Sequence, residues 1–596
     1  MKYKNIKKGR FIERPNRFTA YAEIDGKREK VHVKNTGRCR ELLVPDAEIY
    51  LEKSINTNRS TAYDLITVKK KDKFVNMDSN APNKAVEEWL LKKKVFRDLN
   101  CLRPETVYQN SRFDFYAEYG EKENARKAFI EVKGVTLEEE QSARFPDAPS
   151  ERAVKHIEEL MKAKEEGYEA YIIFVIQMKG VSYFEPNDKT QPEFGKALRR
   201  ARQAGVCIKA YDCVVTKDSI EIDEEIPVIL SALERISEPL LSWYDRGHRV
   251  LPWREDGTGY HVWLSEIMLQ QTRVEAVKPY YERFLKILPD IPSLAGANED
   301  VLLKLWEGLG YYNRVRNMQK AAKLVMEEYD GKLPEEYEEL CKLPGIGSYT
   351  AGAVSSIAYG KISPAVDGNV LRVVSRLCME EADILNTQVR KKIEQELLAV
   401  MPKDRPGDFN QAMMELGALV CIPNGMAKCR ECPLAFTCRA YKEDRVLEFP
   451  VKKKKKPRNI EKKTILVIRD ENRVAIHKRE KKGLLAGLYE FPILEGHKTP
   501  EQVVSYLKEI GMHSILIRPL ETSKHIFTHK EWHMTGYVIR VDELMPIEGK
   551  GQDLLFVEPK ETEEKYPIPS AFAAYTKYLN IKLGNDRFYP DIKKET

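Results

Sequence analysis

The hydrophobic pattern of this 596-residue chain changes character repeatedly along its length, and no single core can satisfy all of its patterns. Residues 1–82 hold short, nearly alternating segments such as FTAYAEI and EKVHVKN, which suit a small β-barrel. Residues 83–230 mix a helix (KAVEEWLLKKK), strands (RFDFYAEY, KAFIEVKGV, EAYIIFVIQM) and a further helix (SERAVKHIEELMKAKEEG). From 231 to 445 the pattern is almost wholly helical, with Pro and Gly separating short helices. Residues 446–463, with the run VKKKKKPRN, read as a basic linker, because lysines followed by proline cannot build a core. Strands return over 464–585 (TILVIRD, RVAIHKRE, HMTGYVIRV), and 586–596 read as a polar tail. Length alone fits roughly three to five domains.

Composition narrows the class. Hydrophobic residues make up 42% of the chain, enough for ordinary cores. No apolar run reaches transmembrane length, and the start, MKYKNIKKGRF, is polar and basic rather than a signal peptide. A soluble, cytoplasmic protein with no membrane partner is expected. A net charge of +7, from 99 basic and 92 acidic residues, is compatible with a polyanion but does not require one.

Four of the ten cysteines crowd into CIPNGMAKCRECPLAFTC, spaced C-x7-C-x2-C-x5-C at Cys421, Cys429, Cys432 and Cys438. Without secretory features, the spacing points to thiolates on one metal centre and leaves iron–sulfur and structural zinc both open. Upstream, LPGIGSYTAGA places Gly345 and Gly347 where a tight turn can approach a phosphate, with helix N–H groups following near Tyr349. Asp367 comes after it. A phosphate-gripping turn, a carboxylate and a cysteine cluster suggest chemistry on nucleic acid.

HVWLSEIMLQQTRVEAV, WEGLGYYNRVRN, LPGIGSYTAGAV, PAVDGNVLRVVSRL and the cysteine cluster occur in that order. Together they resemble the MutY adenine DNA glycosylases of the helix-hairpin-helix superfamily, over about residues 231–580. The resemblance implies removal of adenine mispaired with 8-oxoguanine or guanine in double-stranded DNA, by a protein expected to be monomeric. Cleaving that N-glycosidic bond needs a proton on the leaving base and negative charge beside the sugar cation. Glu266, in the apolar run VWLSEIML, is the candidate acid, and Asp367 the candidate for the sugar C1′. Alone, Asp367 reads equally as a helix N-cap. Tyr349 and Asn369 take supporting roles by the same resemblance. A related type, endonuclease III, carries lysine where this chain has Tyr349, so base removal without Schiff-base strand cutting is implied. Base flipping leaves a hole to fill. Gln271 and Tyr311 match the inserting wedges, and Thr272 and Leu309 positions beside the opposite guanine. Arg249, Trp253, Arg254 and Leu269 match the adenine pocket. The cluster resembles the family's four-iron four-sulfur site, with one extra residue in the first gap.

GLLAGLYEFP followed by TPEQVVSYLKEIGM resembles an α+β Nudix-like fold. Ser505 and Lys508 stand where hydrolytic members carry glutamates, leaving Glu509, so pyrophosphate hydrolysis is not expected. HIFTHKEW matches the family's 8-oxoguanine reader loop, with Thr528 keeping the usual hydroxyl beside His529.

The first 230 residues resemble the sugar fermentation stimulation protein A family through NTGRCRELL, NSRFDF, EVKGVTL and FPDAPSERAVKHIEEL. That family pairs an oligonucleotide-binding-like barrel with an α/β domain like those of restriction nucleases. Asp114, Glu131 and Lys133 would form its D…ExK site, with Glu87 as a further ligand and Mg²⁺ or Mn²⁺ as the metal. Glu131 and Lys133 are two apart on a strand and so share a face. The alternatives for this half are a metal-dependent nuclease or a nucleic-acid docking module. For the whole chain, the alternative to a glycosylase is a non-enzymatic DNA-binding regulator with a redox-sensing cluster. Glu266 and Asp367 together argue against that, since a mere binder needs neither.

Overall fold

The computed structural model describes residues 1–35, 37–55, 59–92, 95–109, 111–121, 124–453, 457–542 and 554–584. The expected polar tail at 586–596 and the lysines at 454–456 of the linker lie outside the described residues. The chain divides into two compact units, Met1–Glu234 and Arg235–Thr596.

The first unit opens with six strands: β1 (Ile6–Asn16), β2 (Thr19–Ile24), β3 (Lys27–Val33), β4 (Glu48–Lys53), β5 (Tyr63–Lys70) and β6 (Lys73–Asn76). They run in the order β3-β2-β1-β4-β5-β6, and a parallel pairing of β3 with β5 curls the sheet into a barrel. Alternation drives this: in β2, Ala20, Ala22 and Ile24 are buried while Glu23 is exposed.

Helix α1 (Ala81–Lys92) leads into β7 (Leu99–Tyr108), β8 (Ser111–Tyr119), β9 (Arg126–Val135), β10 (Leu137–Glu139) and β11 (Ser142–Phe145). Then come α2 (Glu151–Glu165), β12 (Glu169–Ile176), β13 (Tyr183–Pro186), α3 (Pro192–Gln203), β14 (Cys207–Val215) and β15 (Ile220–Ile226). The main sheet has the order β15-β14-β12-β9-β8-β7, with β9, β12 and β14 parallel. The run EAYIIFVI in β12 is nearly all apolar because both faces are covered. Ile172, Phe174 and Ile176 pack with Ile157, Leu160, Phe194 and Leu198 of α2 and α3. Ile173 and Val175 pack with Val86 and Leu90 of α1.

The second unit begins with helices α4 (Ser237–Gly247), α5 (Pro252–Glu255), α6 (Gly259–Leu269), α7 (Val274–Ile287), α8 (Ile291–Gly296) and α9 (Glu299–Leu305). These continue as α10 (Asn313–Glu328), α11 (Tyr337–Leu340), α12 (Ser348–Tyr359), α13 (Gly368–Cys378), α14 (Thr387–Val400), α15 (Pro406–Leu419) and α16 (Arg439–Lys442). Helix α6 is apolar on nearly every side, and its residues from Tyr260 to Met268 are buried except His261. It packs on α12, which in turn packs on α15. Helix α12 ends at Gly360, whose φ of +65° takes the left-handed conformation that closes helices cheaply.

A mixed sheet follows: β16 (Asn459–Asp470), β17 (Arg473–Lys478), β18 (Tyr489–Glu490), β19 (Ile493–Glu495), then α17 (Pro500–Glu509), β20 (His513–Ile526), β21 (Lys530–Asp542) and β22 (Leu555–Val557). Its path is β18-β17-β16-β21-β20. In β16, Ile465 and Val467 point into one core with Phe572 and Tyr575, while Leu466 and Ile468 point into another with Val503 and Leu507 of α17. Among the described residues, no helix is long and apolar enough to cross a membrane.

Candidate active site

Glu266 sits near the end of α6 at 6% exposure. Burial is the main reason its carboxyl is pushed up to about 7, with the Asp367 charge adding to the rise. A hydrogen bond from the Tyr349 hydroxyl to Oε2 and the charge of Arg254 pull the other way. Such a group holds its proton near neutral pH, as a proton donor must. Tyr349 is in the first turn of α12, its own ionisation pushed far up by burial and by both carboxylates. Its hydroxyl also lies 3.4 Å from the Met414 sulfur.

Asp367 does cap α13: Oδ1 accepts from Asn369 N at 2.8 Å and Val370 N at 2.7 Å. Its Oδ2 accepts from Asn369 Nδ2 at 2.7 Å, and Arg372 Nη2 holds Asn369 Oδ1 at 2.8 Å. Burial raises the Asp367 carboxyl and these donors lower it, with burial ahead. The cap reading holds, and capping fixes the carboxylate in place.

Arg249 and Arg254 converge on a residue the motifs did not reveal, Glu415 of α15. Arg249 donates through Nε to Oε1 at 2.9 Å and through Nη2 to Oε2 at 2.8 Å, and Arg254 Nη2 to Oε2 at 3.0 Å. The Glu415 side chain has no exposure, yet these donors outweigh burial and hold its carboxyl down to about 2. A glutamate inside the apolar run AMMELGALV was the available signal. Trp253 is buried edge-on to Tyr281 at 5.5 Å between ring centroids, and Leu269, half-buried, ends α6.

Gln271 and Tyr311 stand at two exposed turns with φ of +61° and +48°. Neither is glycine, so each turn carries local strain that a functional position commonly tolerates. Tyr311 is 49% exposed although aromatic, and its hydroxyl lies 3.0 Å from Thr528 Oγ1. Thr528 and His529 form the exposed hairpin turn between β20 and β21, closed by Phe527 N donating to Lys530 O at 2.9 Å. Arg314, silent in the sequence, joins the two turns: it donates to Gln270 O at 2.8 Å, Leu309 O at 3.1 Å and Gly310 O at 3.2 Å. Thr272 follows the first turn, half-buried, and Leu309 is buried in the second. Gly345 and Gly347 are both exposed before α12. Gly345 has φ +80°, and a Cβ there would stand 2.7 Å from Asn317 Cβ.

The cysteine cluster requires a correction. Among the described residues, no group of three or more His, Cys, Asp or Glu side chains is arranged to hold a metal ion. This overturns the expected four-iron four-sulfur cluster on Cys421, Cys429, Cys432 and Cys438, and the zinc alternative with it. All four are free thiols bordering one cavity. Burial pushes Cys432 up to about 12 and Cys438 to about 11, so both keep their protons. Arg376 takes up two of the sulfurs: its Nη1 donates to Cys421 Sγ at 3.2 Å, and Cys438 Sγ donates to its carbonyl at 3.5 Å.

The same finding removes the Mg²⁺ or Mn²⁺ expected in the first unit. There Asp114, Glu131 and Lys133 do come together, but three of the four carboxylate oxygens are taken by protein donors. Asn83 Nδ2 and Val132 N each reach Asp114 at 2.7 Å. Lys133 Nζ and His156 Nδ1 both engage Glu131 Oε1, while Oε2 is buried without a partner. Burial and the Glu131 charge raise Asp114 to about 6. Burial would raise Glu131 too, but His156 and Lys133 outweigh it and hold it low. His156 of α2 was missed because nothing in its helix marks it. Glu87 lies one turn beyond Asn83 on α1.

The fold is that of a protein in two units: a barrel with an α/β domain, and a helical domain followed by a mixed-sheet domain. Residues 12–77 match the SfsA N-terminal OB domain and 80–219 the sugar fermentation stimulation protein RE domain. Residues 264–400 match the HhH-GPD superfamily base excision DNA repair protein and 464–578 the NUDIX domain. The sugar fermentation stimulation protein homolog of Clostridium beijerinckii is 55% identical over 230 residues, which are 39% of this chain and 100% of that protein. That of Ruminiclostridium cellulolyticum is 56% identical over 230 residues, with the same coverage of 39% and 100%. Pyrococcus furiosus SfsA in complex with Ca²⁺ is similar at 28% identity and a TM-score of 0.35, over 38% of this chain and 98% of that one. A non-covalent endonuclease III–DNA complex is similar at 25% identity and a TM-score of 0.31, over 35% of this chain and 94% of that one. Through its N-terminal part the chain belongs to the sugar fermentation stimulation protein family, fused here to an HhH-GPD superfamily domain and a Nudix domain.

Proposed function

We propose that the second unit is a monofunctional adenine DNA glycosylase of the MutY type, acting on adenine opposite 8-oxoguanine or guanine. The observation that carries this is the pair of unlike carboxyls, Glu266 pushed up to about 7 by burial and Asp367 held in place by its own helix. Glu266 would protonate the leaving adenine, and Asp367 would stabilise the positive charge that develops on the sugar. Tyr349 orients the acid and has no amine with which to form a Schiff base. Gln271 and Tyr311 would fill the space of the flipped base, Arg249, Trp253, Arg254 and Leu269 would shape the adenine pocket, and Thr528 and His529 would read the opposite base. The exposed backbone at Gly345 and Gly347 would take a DNA phosphate. The first unit would bind nucleic acid, its barrel and α/β domain adding affinity to the repair domain. The test is release of free adenine, followed by mass spectrometry, from duplexes with adenine opposite 8-oxoguanine, guanine or thymine. Release from the first two and not the third is expected; equal release from all three, or from none, would refute the assignment.

A further inference from the structure

The turn that presents Tyr311 is gripped from the C-terminal domain, and the grip centres on Glu307. This carboxylate is 2% exposed. Its oxygens accept from two backbone N–H groups far along the chain: Ile568 N at 2.8 Å to Oε1 and Gly584 N at 3.3 Å to Oε2. Lys304 donates to the same oxygens at 3.0 and 2.9 Å and to Thr562 O at 2.8 Å. The C-terminal domain thus meets one Lys–Glu pair, its carboxylate buried and its lysine partly so, at three points.

The inserting turn starts at the next residue. Gly308 has φ +100°, Gly310 +70° and Tyr311 +48°. A Cβ on Gly308 would stand 2.1 Å from Tyr280 Oη and 3.3 Å from Gly584 Cα, so this end of the turn has no room to slide. Tyr280 Oη also donates to Glu307 O at 2.8 Å. At its far end the turn meets the same C-terminal domain again, through Tyr311 and Thr528. From the first turn of α10, Arg314, which also holds the turn's carbonyls at Leu309 and Gly310, donates to Ile267 O at 2.6 Å, the carbonyl directly after Glu266. A continuous set of contacts therefore runs from the reader hairpin and Glu307, through the turn, to the end of the helix carrying the acid.

Simple adhesion does not explain the choice of residues. A buried ion pair is seldom more stabilising than apolar side chains of similar size, because both charges must be desolvated. What a carboxylate holding two N–H groups supplies is a fixed position. We propose that Glu307 is a positioning residue that sets the inserting turn in register with the C-terminal domain, so that the base read there governs the acid site. This rests on the adenine-glycosylase function proposed above.

The measurement is single-turnover adenine release by the full chain from two duplexes, adenine opposite 8-oxoguanine and adenine opposite guanine. Wild type is compared with Glu307→Gln, which loses the charge, and Glu307→Asp, which keeps the charge but is too short for both N–H groups. Thermal unfolding of each variant is recorded alongside. The wild-type chain should prefer the 8-oxoguanine duplex. In both variants the ratio of the two rates should fall about tenfold, an ordinary size for coupling between sites. A purely adhesive Glu307 would lower both rates together or only the unfolding temperature, leaving the ratio intact, and that result would overturn the proposal. Wild-type chain that released adenine from neither duplex would instead overturn the glycosylase function, and this inference with it.

Discussion

The Tyr349 hydroxyl donates its hydrogen bond to Oε2 of Glu266, a carboxyl that burial already pushes up to about 7. The two residues lie 83 positions apart in sequence, and the packing of α6 on α12 brings them together. The acid is thus tuned from both sides, by an apolar helix that favours its neutral form and a phenol that favours its anion.

Glu266→Gln is expected to bind duplex DNA containing adenine opposite 8-oxoguanine and to lose roughly 10²–10⁴-fold in adenine release, the usual worth of a general acid. In the wild type, release should fall as pH rises through about 7, since only the protonated acid can donate. Near-normal release by the variant in single-turnover assays would remove Glu266 from that role.

Tyr349→Phe should shift this alkaline limb upward. The lost hydrogen bond favoured the carboxylate, so without it the acid keeps its proton to higher pH. The readout is the pH profile of single-turnover release in wild type and variant; an unmoved or downward-moved limb would contradict the assigned bond. Borohydride should trap no adduct with the wild-type chain.

Glu415→Ala removes the carboxylate that holds Arg249 and Arg254 and leaves two cations without their buried partner. Loss of one partner from such a pair typically costs about 3–5 kcal/mol. Urea denaturation should show the loss, together with weaker binding of adenine-containing duplex. The sign with pH follows from the carboxyl held down to about 2: the stabilisation is full above about 4.5 and disappears as pH falls toward 2. A variant with an unchanged midpoint at pH 7 would show the fork to be idle.

Gly345→Ala forces a side chain into a backbone with φ +80° and against Asn317 Cβ at 2.7 Å. A loss of roughly 1–3 kcal/mol is expected from the strain alone. Because the shift would move the exposed turn before α12, duplex affinity should fall with it, measured by fluorescence anisotropy. Full affinity in a folded variant would mean that this turn does not touch DNA.

Local pattern made part of this molecule legible. The run EAYIIFVIQM was legible as a strand, and Glu266 stood out as a charge inside the apolar run of α6. Asp367 could be read as a cap or as a site residue, and the hydrogen bonds it accepts from Asn369 N and Val370 N establish the cap. Arg314 and Glu307 were not legible. The partners that tie them to other elements are backbone atoms 44 to 277 residues away, and backbone groups carry no sequence signal. His156 was hidden similarly, since its contact with Glu131 spans strand and helix. The cysteines misled for the converse reason: close spacing guarantees nearness along the chain but not a ligating geometry, and Arg376 engages two of the sulfurs.

Base removal without strand cutting is the reaction expected of the Glu266–Asp367 pair. It is tested most directly by incubating the full chain with an end-labelled duplex carrying adenine opposite 8-oxoguanine, then resolving the strands with and without alkali. The adenine strand should break at that position only after alkali, and Glu266→Gln should leave it whole under both conditions. An adenine strand that survives alkali after prolonged incubation with wild-type chain, or breaks equally in the Glu266→Gln sample, would contradict it.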